Sequence, residues 1–272
     1  MRLPPDVSEW LNLCARWFHV FAGILWIGTT YYFTWLDARL SESEAAAAKS
    51  GAQPQIWMVH SGGFYVVEKQ KTPGPHELHW FRWEAALTWL SGAALLILVY
   101  YLGGALVDPD VRDISLPYAI AFCVGLLVVA WVVYDLLMLS PLARHEAAFT
   151  VLAYVMLVGI AYLLTHVLSG RAAYIHVGAL FGTLMAANVW MRILPAQRKM
   201  IAATKAGQQP DAALAARAKL RSKQNTYMVV PAVFTMISNH FPTATYGSRY
   251  NWLILSGLIL AGWLAAKFIR RA

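Results

Sequence analysis

Seven apolar runs set the terms for this chain, at about 10–36, 80–103, 116–139, 146–168, 172–194, 224–240 and 250–267. Each comes near the roughly 20 residues that a helix needs to cross a bilayer. With 59% of 272 residues apolar, 13% charged and twelve tryptophans, the sequence carries more apolar surface than one soluble domain of this size can hide. The expected fold class is therefore all-α: a polytopic integral membrane helix bundle of about seven transmembrane helices, forming a single transmembrane domain over 1–272. The opening stretch MRLPPDVSEW lacks the short apolar core and small-residue cleavage site of a secretory signal, so the first run is expected to stay as a helix.

Charge sets the expected orientation. The segment 196–223 carries Arg198, Lys199, Lys205, Arg217, Lys219, Arg221 and Lys223 against the single Asp211, and the chain ends with Lys267, Arg270 and Arg271. Both belong on the cytoplasmic side by the positive-inside rule. The acidic turn from Asp108 to Asp113 falls on the opposite side, and the loop with Lys69 and Lys71 returns to the basic side. Seven helices with a periplasmic N-terminus satisfy every loop. The net charge of +8 is then mostly membrane-orienting bias and gives no reason to invoke nucleic acid. Arg221 and Lys223 are most simply anchors of this kind, and the alanine-rich stretch before them reads as a surface helix or a flexible cytoplasmic loop. Cys14 and Cys123 offer neither a CxxCH for covalent haem nor a zinc spacing.

This topology sorts the histidines by depth. His19, His166, His176 and His240 fall in the outer half; His60, His76, His79 and His145 fall at the inner face with Glu68, Arg82, Glu84, Asp135, Arg192 and Asn225. At the outer pole, histidines from neighbouring helices are candidates to hold one or two non-covalent haems b, because haem iron takes neutral imidazole as an axial ligand. His19 and His176 are the first choice for the iron, since an intramembrane histidine without a partner is costly. Gly23, Gly178 and Gly182 lie beside them, where a flat macrocycle needs small residues; helix packing through a GxxxG is the competing explanation. HVFAGILWIGTT from His19 and HVGALFGTLMAA from His176 form a faint parallel repeat.

At the inner pole the stretch Trp57 to Gly92 is dense in polar and aromatic residues. HSGGFY from His60 supplies a tight turn, since Gly62 and Gly63 tolerate backbone conformations that other residues avoid. Arg82 or Arg192 is placed to hold a planar anion through paired hydrogen bonds, with Phe64 available to stack and Asn188 one turn from Arg192. Glu84, Thr88, Ser91 and Gly92 share one helical face. Glu84 is the candidate general base, with His60 and His79 as further catalytic candidates; a structural ion pair with Arg82, Lys69 or Arg192 is the alternative for Glu84.

The runs HVFAGILWIGTTYYFTWLD, HSGGFYVVEK, LHWFRWEAALTWLSG, HVGALFGTLMAANVWMRILPAQ and RSKQNTYMVVPAVFTMISNHFP resemble the membrane domain of the bacterial cytochrome c-linked urate oxidases, over nearly the entire chain. The resemblance implies oxidation of urate to 5-hydroxyisourate in the bacterial inner membrane, with electrons passed through haem to a cytochrome c. Relatives of this kind usually continue into a further transmembrane helix and a cytochrome c domain with a CxxCH, which this sequence does not contain. A separate cytochrome c or a quinone is therefore the expected acceptor. The distance between the poles calls for a second cofactor or a deep substrate cleft, unless the substrate sits beside the haem and the inner pole is structural. A non-catalytic haem b electron-transfer subunit and a transporter of a purine-like anion are the competing functions.

Overall fold

The computed structural model describes residues 4–51, 53–70 and 77–270; Lys71, His76 and Arg271 lie outside the described residues. The first helix, α1 (Pro5–Ser50), opens with a proline, whose fixed φ and missing N–H suit a first helical position. It closes on Gly51 in the left-handed conformation, whose N–H returns to the Ala47 carbonyl. At 46 residues α1 outruns the apolar stretch 10–36, so its last turns carry Asp37, Arg39, Glu42 and Lys49 roughly 20 Å past it.

The all-α expectation holds apart from one antiparallel hairpin, β1 (Gln55–His60) and β2 (Gly63–Glu68), with His60 opposite Gly63. The expected turn is there: Ser61 and Gly62 both have positive φ, 49° and 78°, which is what a two-residue turn between right-twisted strands requires. Lys69 and Lys219 both reach Asp37, at 3.2 and 2.9 Å. They tie the hairpin end and a later helix to the extension of α1.

The remaining helices are α2 (Trp83–Leu95), α3 (Leu116–Leu139), α4 (Glu146–Thr165), α5 (Gly170–Ala187), α6 (Leu194–Lys205), α7 (Ala212–Ile237) and α8 (Asn251–Ile269). Two of them widen into π turns: α2 continues through Leu96–Tyr101, and α5 runs into α6 through Asn188–Ile193. Such turns are uncommon and collect at functional sites. Ser169 caps α5 by accepting from the Ala172 N–H, and Asp211 caps α7 by accepting from the Ala213 N–H. The alanine-rich stretch before Arg221, expected as a surface helix or a flexible cytoplasmic loop, forms the end of α6, a short connection and the start of α7.

Side-chain contacts give the direction of each helix. Gly178 of α5 lies against Thr235 of α7, and Asn188 against Asn225, so these two helices run antiparallel over the same depth. Tyr174 donates to the Asn251 carbonyl, while Arg270 at the other end of α8 donates to Thr226; α8 therefore runs with α5 and against α7. His19 sits beside Ser91 and Tyr31 reaches the Thr226 carbonyl, which orients α1 as α5. Among the described residues, six helices are long and apolar enough to cross a membrane. Helix α7 falls outside that set because its first turns carry Arg217, Lys219, Arg221 and Lys223.

Helix α5 is the axis of the bundle. Over half of its most apolar window is buried, against 6–28% for the other five. Its neighbours present apolar side chains outward instead: Trp17, Ile24, Val128, Val155, Leu253 and Leu264 are all exposed. Water does not tolerate apolar surface of that extent, whereas hydrocarbon does.

Candidate functional site

The polar groups gather at two ends of the bundle. At the histidine end, α1, α2, α5 and α7 enclose a cavity of about 610 Å³, lined by His19, His240, Arg16 and Asn239 among mostly apolar and small residues. His19 is held in a fixed orientation. Its Nδ1 lies 3.0 Å from the Thr88 carbonyl oxygen and 3.0 Å from Ser91 Oγ. A carbonyl can only accept, so Nδ1 carries the proton and donates, leaving the Nε2 lone pair free. No hydrogen bond occupies that nitrogen among the described residues.

Gly92 forms the seat of this ring. A Cβ there would stand 3.0 Å from His19 Cε1, tight enough to displace the imidazole. The other glycines divide into two kinds. A Cβ at Gly182 would meet nothing within 4 Å, and one at Gly23 only Thr88 Cγ2 at 3.9 Å; both face open space in the cavity. A Cβ at Gly178 would collide with Thr235 Oγ1, so this glycine serves the contact between α5 and α7. The packing explanation of the GxxxG thus holds for its first member only.

The structure does not bring all four outer histidines together. His176 is buried with both ring nitrogens occupied: Nδ1 donates to the Ala172 carbonyl at 2.7 Å, and Nε2 accepts from the Tyr101 hydroxyl at 3.3 Å. It lies between Tyr100 and Tyr101, away from the cavity. His166 ends α4, stacks on Tyr162 at 4.1 Å and donates Nδ1–H to that residue's carbonyl. His19 and His240 are the two that share one space. At the mouth, Arg171 donates to Asn239 at 3.0 Å and lies over the Tyr100 ring.

The arginine end is a closed polar network. Asp135 on α3 receives a fork from Arg192, with Nε at 2.8 Å on Oδ1 and an Nη on Oδ2, and a second guanidinium from Arg221 at 2.6 Å. Arg221 also donates to Asn188 Oδ1 at 3.0 Å, and Asn188 donates to Asn225 at 2.8 Å and to the Tyr134 hydroxyl at 3.0 Å. Arg221 is 4% exposed and Asn188 not at all. This corrects the expectation that Arg221 is a simple membrane-surface anchor. It also occupies Arg192 and Asn188, both expected as substrate contacts, with each other's neighbours. The π turn explains the convergence, because its extra residue per turn brings Asn188 and Arg192 toward α3 and α7 together.

The expected cluster around the hairpin is dispersed. His60 and Phe64 are exposed on the strands, Phe64 at 79%, and His79 packs on Phe81 at 4.6 Å. None of them meets Arg192 or Asn188. Glu84 is different. Among the described residues its buried Oε2 has no hydrogen-bond partner, nor has the buried Nε of Arg82; the ion pair with Arg82, Lys69 or Arg192 does not form. Thr88 Oγ1 donates to the Glu84 carbonyl at 2.7 Å. Glu84 is thus one turn below a cavity-lining residue.

Fold and site together define an all-α bundle whose long apolar helices are compatible with a membrane, with a glycine-lined cavity at one end and a buried ionic network at the other. The chain belongs to the urate oxidase N-terminal family, whose model matches residues 5–272. No curated protein and no solved structure matches it.

Proposed function

We propose that this chain is the membrane component of a urate-oxidising system, an oxidoreductase that delivers electrons from urate through haem b to a cytochrome c or a quinone. The observation that carries this reading is His19, its Nδ1 proton committed to Thr88 and its Nε2 free in a cavity that His240 also lines. That donor set suits haem iron, and Gly23 and Gly182 leave the breadth a flat group requires. Arg16 in the lining matches the carboxylates of such a group. Haem would supply a one-electron relay between substrate and acceptor.

Urate and water give 5-hydroxyisourate, two electrons and two protons. Glu84 is our candidate to take a proton from a urate N–H: its Oε2 has no partner among the described residues, and it stands roughly 6 Å along α2 from Thr88. Arg82, with a buried Nε also lacking a partner, offers a donor to a urate oxygen. The arginine end faces the cytoplasm, as the positive-inside rule requires, and the histidine end faces the periplasm of a bacterial inner membrane. On this reading α7, antiparallel to α5 and α8 over the same depth, is a seventh crossing.

Purification in detergent, a visible spectrum and anaerobic addition of urate test this. A haem b spectrum reduced by urate is the expected result. A spectrum indifferent to urate would indicate an electron-transfer subunit without catalysis, and a colourless protein would indicate transport; either one overturns the proposal.

A further inference from the structure

Beside the ionic network, the arginine end holds a second cavity of about 280 Å³ between α3, α6 and α7. Four cations line it, Arg192, Lys199, Arg217 and Arg221, with Met138 and Leu139 among the apolar walls. Among the described residues the lining contains no acidic side chain. Asp135 lies directly behind it and engages Arg192 and Arg221; one carboxylate therefore faces two guanidiniums. Arg217 spends only its Nε, on the Ala213 carbonyl at 3.2 Å. Lys199 has no ion pair among the described residues.

We infer that this cavity binds a phosphate-bearing anion, either the headgroup of an acidic phospholipid or free phosphate. Three guanidiniums and an ammonium around one small volume, with only Asp135 against them, leave an excess of positive charge and the terminal nitrogens of Arg217 to meet an anion with several oxygens. The buried Arg221, fixed by Asp135 and Asn188, gives the site a rigid floor. Lys199 and Arg217 are exposed and close it from the solvent side. Methionine and leucine walls beside the cations suit the glycerol and first methylenes of a lipid, and basic pockets between helices on the cytoplasmic side are where acidic headgroups bind. The site is separate from the proposed urate chemistry, and neither reading depends on the other.

The test uses detergent-purified protein and follows thermal unfolding while short-chain phosphatidylglycerol, phosphatidylcholine of the same chain length, or inorganic phosphate is titrated. Phosphatidylglycerol is expected to raise Tm, and the Lys199→Gln/Arg217→Gln double variant is expected to bind it about thirtyfold more weakly, from roughly one decade or less per lost cation. Both residues are exposed, so the variant keeps the fold and its own Tm reports that directly. Stabilisation by inorganic phosphate at equal concentration supports the site and assigns it to the free anion. Equal stabilisation by phosphatidylcholine, or equal affinity of the double variant, overturns the inference. So does protection by urate but not by phosphate.

Discussion

Replacing Asp135 by Asn separates a structural role for the ionic network from a decorative one. The substitution keeps the shape of the side chain and removes the charge that Arg221 and Arg192 both engage. Arg221 has a side chain only 5% exposed and Asp135 one 10% exposed, so the stranded guanidinium cannot turn to water. Breaking such a pair by losing one partner costs about 3–5 kcal/mol, most of it the penalty of an uncompensated buried charge. The Arg192 side chain is 40% exposed and adds little, because solvent screens it. A control exists on the same protein: Asp37 pairs with Lys69 and Lys219, whose side chains are 53% and 73% exposed, and Asp37→Asn is expected to cost under about 1 kcal/mol. Thermal unfolding in one detergent should then show Asp135→Asn lower by about 6 °C or more and Asp37→Asn within about 3 °C of the parent. Adding Arg221→Met to Asp135→Asn should recover part of the loss, since it removes the stranded charge. Equal shifts for the two aspartates, or a double variant less stable than the single, would refute this account of the network.

Three further outcomes follow from the cavity. His19→Ala and His240→Ala are each expected to abolish the haem absorption of the purified protein, while His166→Ala, on a helix end away from the cavity, leaves it unchanged; absorbance per protein measures this. Gly182→Leu should lower haem content with Tm nearly unchanged, because its side chain enters open space, whereas Gly178→Ala should cost about 1–3 kcal/mol through its collision with Thr235. Glu84→Gln is expected to keep the spectrum and slow anaerobic reduction by urate about a hundredfold or more, the usual weight of a general base, and a rate within a factor of three would remove Glu84 from that role.

Helix positions were legible because hydrocarbon demands a simple pattern: each expected span falls mainly in helix, although 80–103 overruns α2 and its π turn at both ends and 146–168 runs three residues past α4. The hairpin turn was legible from Ser61-Gly62-Gly63, where only a few backbone conformations serve. What periodicity did not carry was the rotation of each helix about its own axis. His19 and His176 begin faintly similar motifs, yet one faces the cavity and the other is locked between Tyr101 and the Ala172 carbonyl. Arg221 looked like its basic neighbours because a charge at the end of a span is cheap in either place. A stronger signal went unused: Asp135 is the one ionisable acid inside the run 116–139. A carboxylate at that depth needs a cation, and Arg192 and Arg221 were the candidates at its level.

The face Glu84, Thr88, Ser91 and Gly92 was expected to turn polar groups inward as a substrate surface. The contacts give it a second task, because Thr88 and Ser91 fix the His19 ring and Gly92 makes room for it. One straight stretch of α2 therefore carries both the carboxylate proposed as base and the seat of the imidazole proposed as ligand. Glu84 and Ser91 are roughly 10 Å apart along the helix axis, far less than the depth of a bilayer core of about 30 Å. The difficulty posed by two distant poles came from placing Glu84 and the 60–84 stretch at one face of the bilayer and the histidines at the other. On the proposed reading, a substrate beside Glu84 would leave only a short path to the histidine end, while the Asp135 network joins α3, α5 and α7.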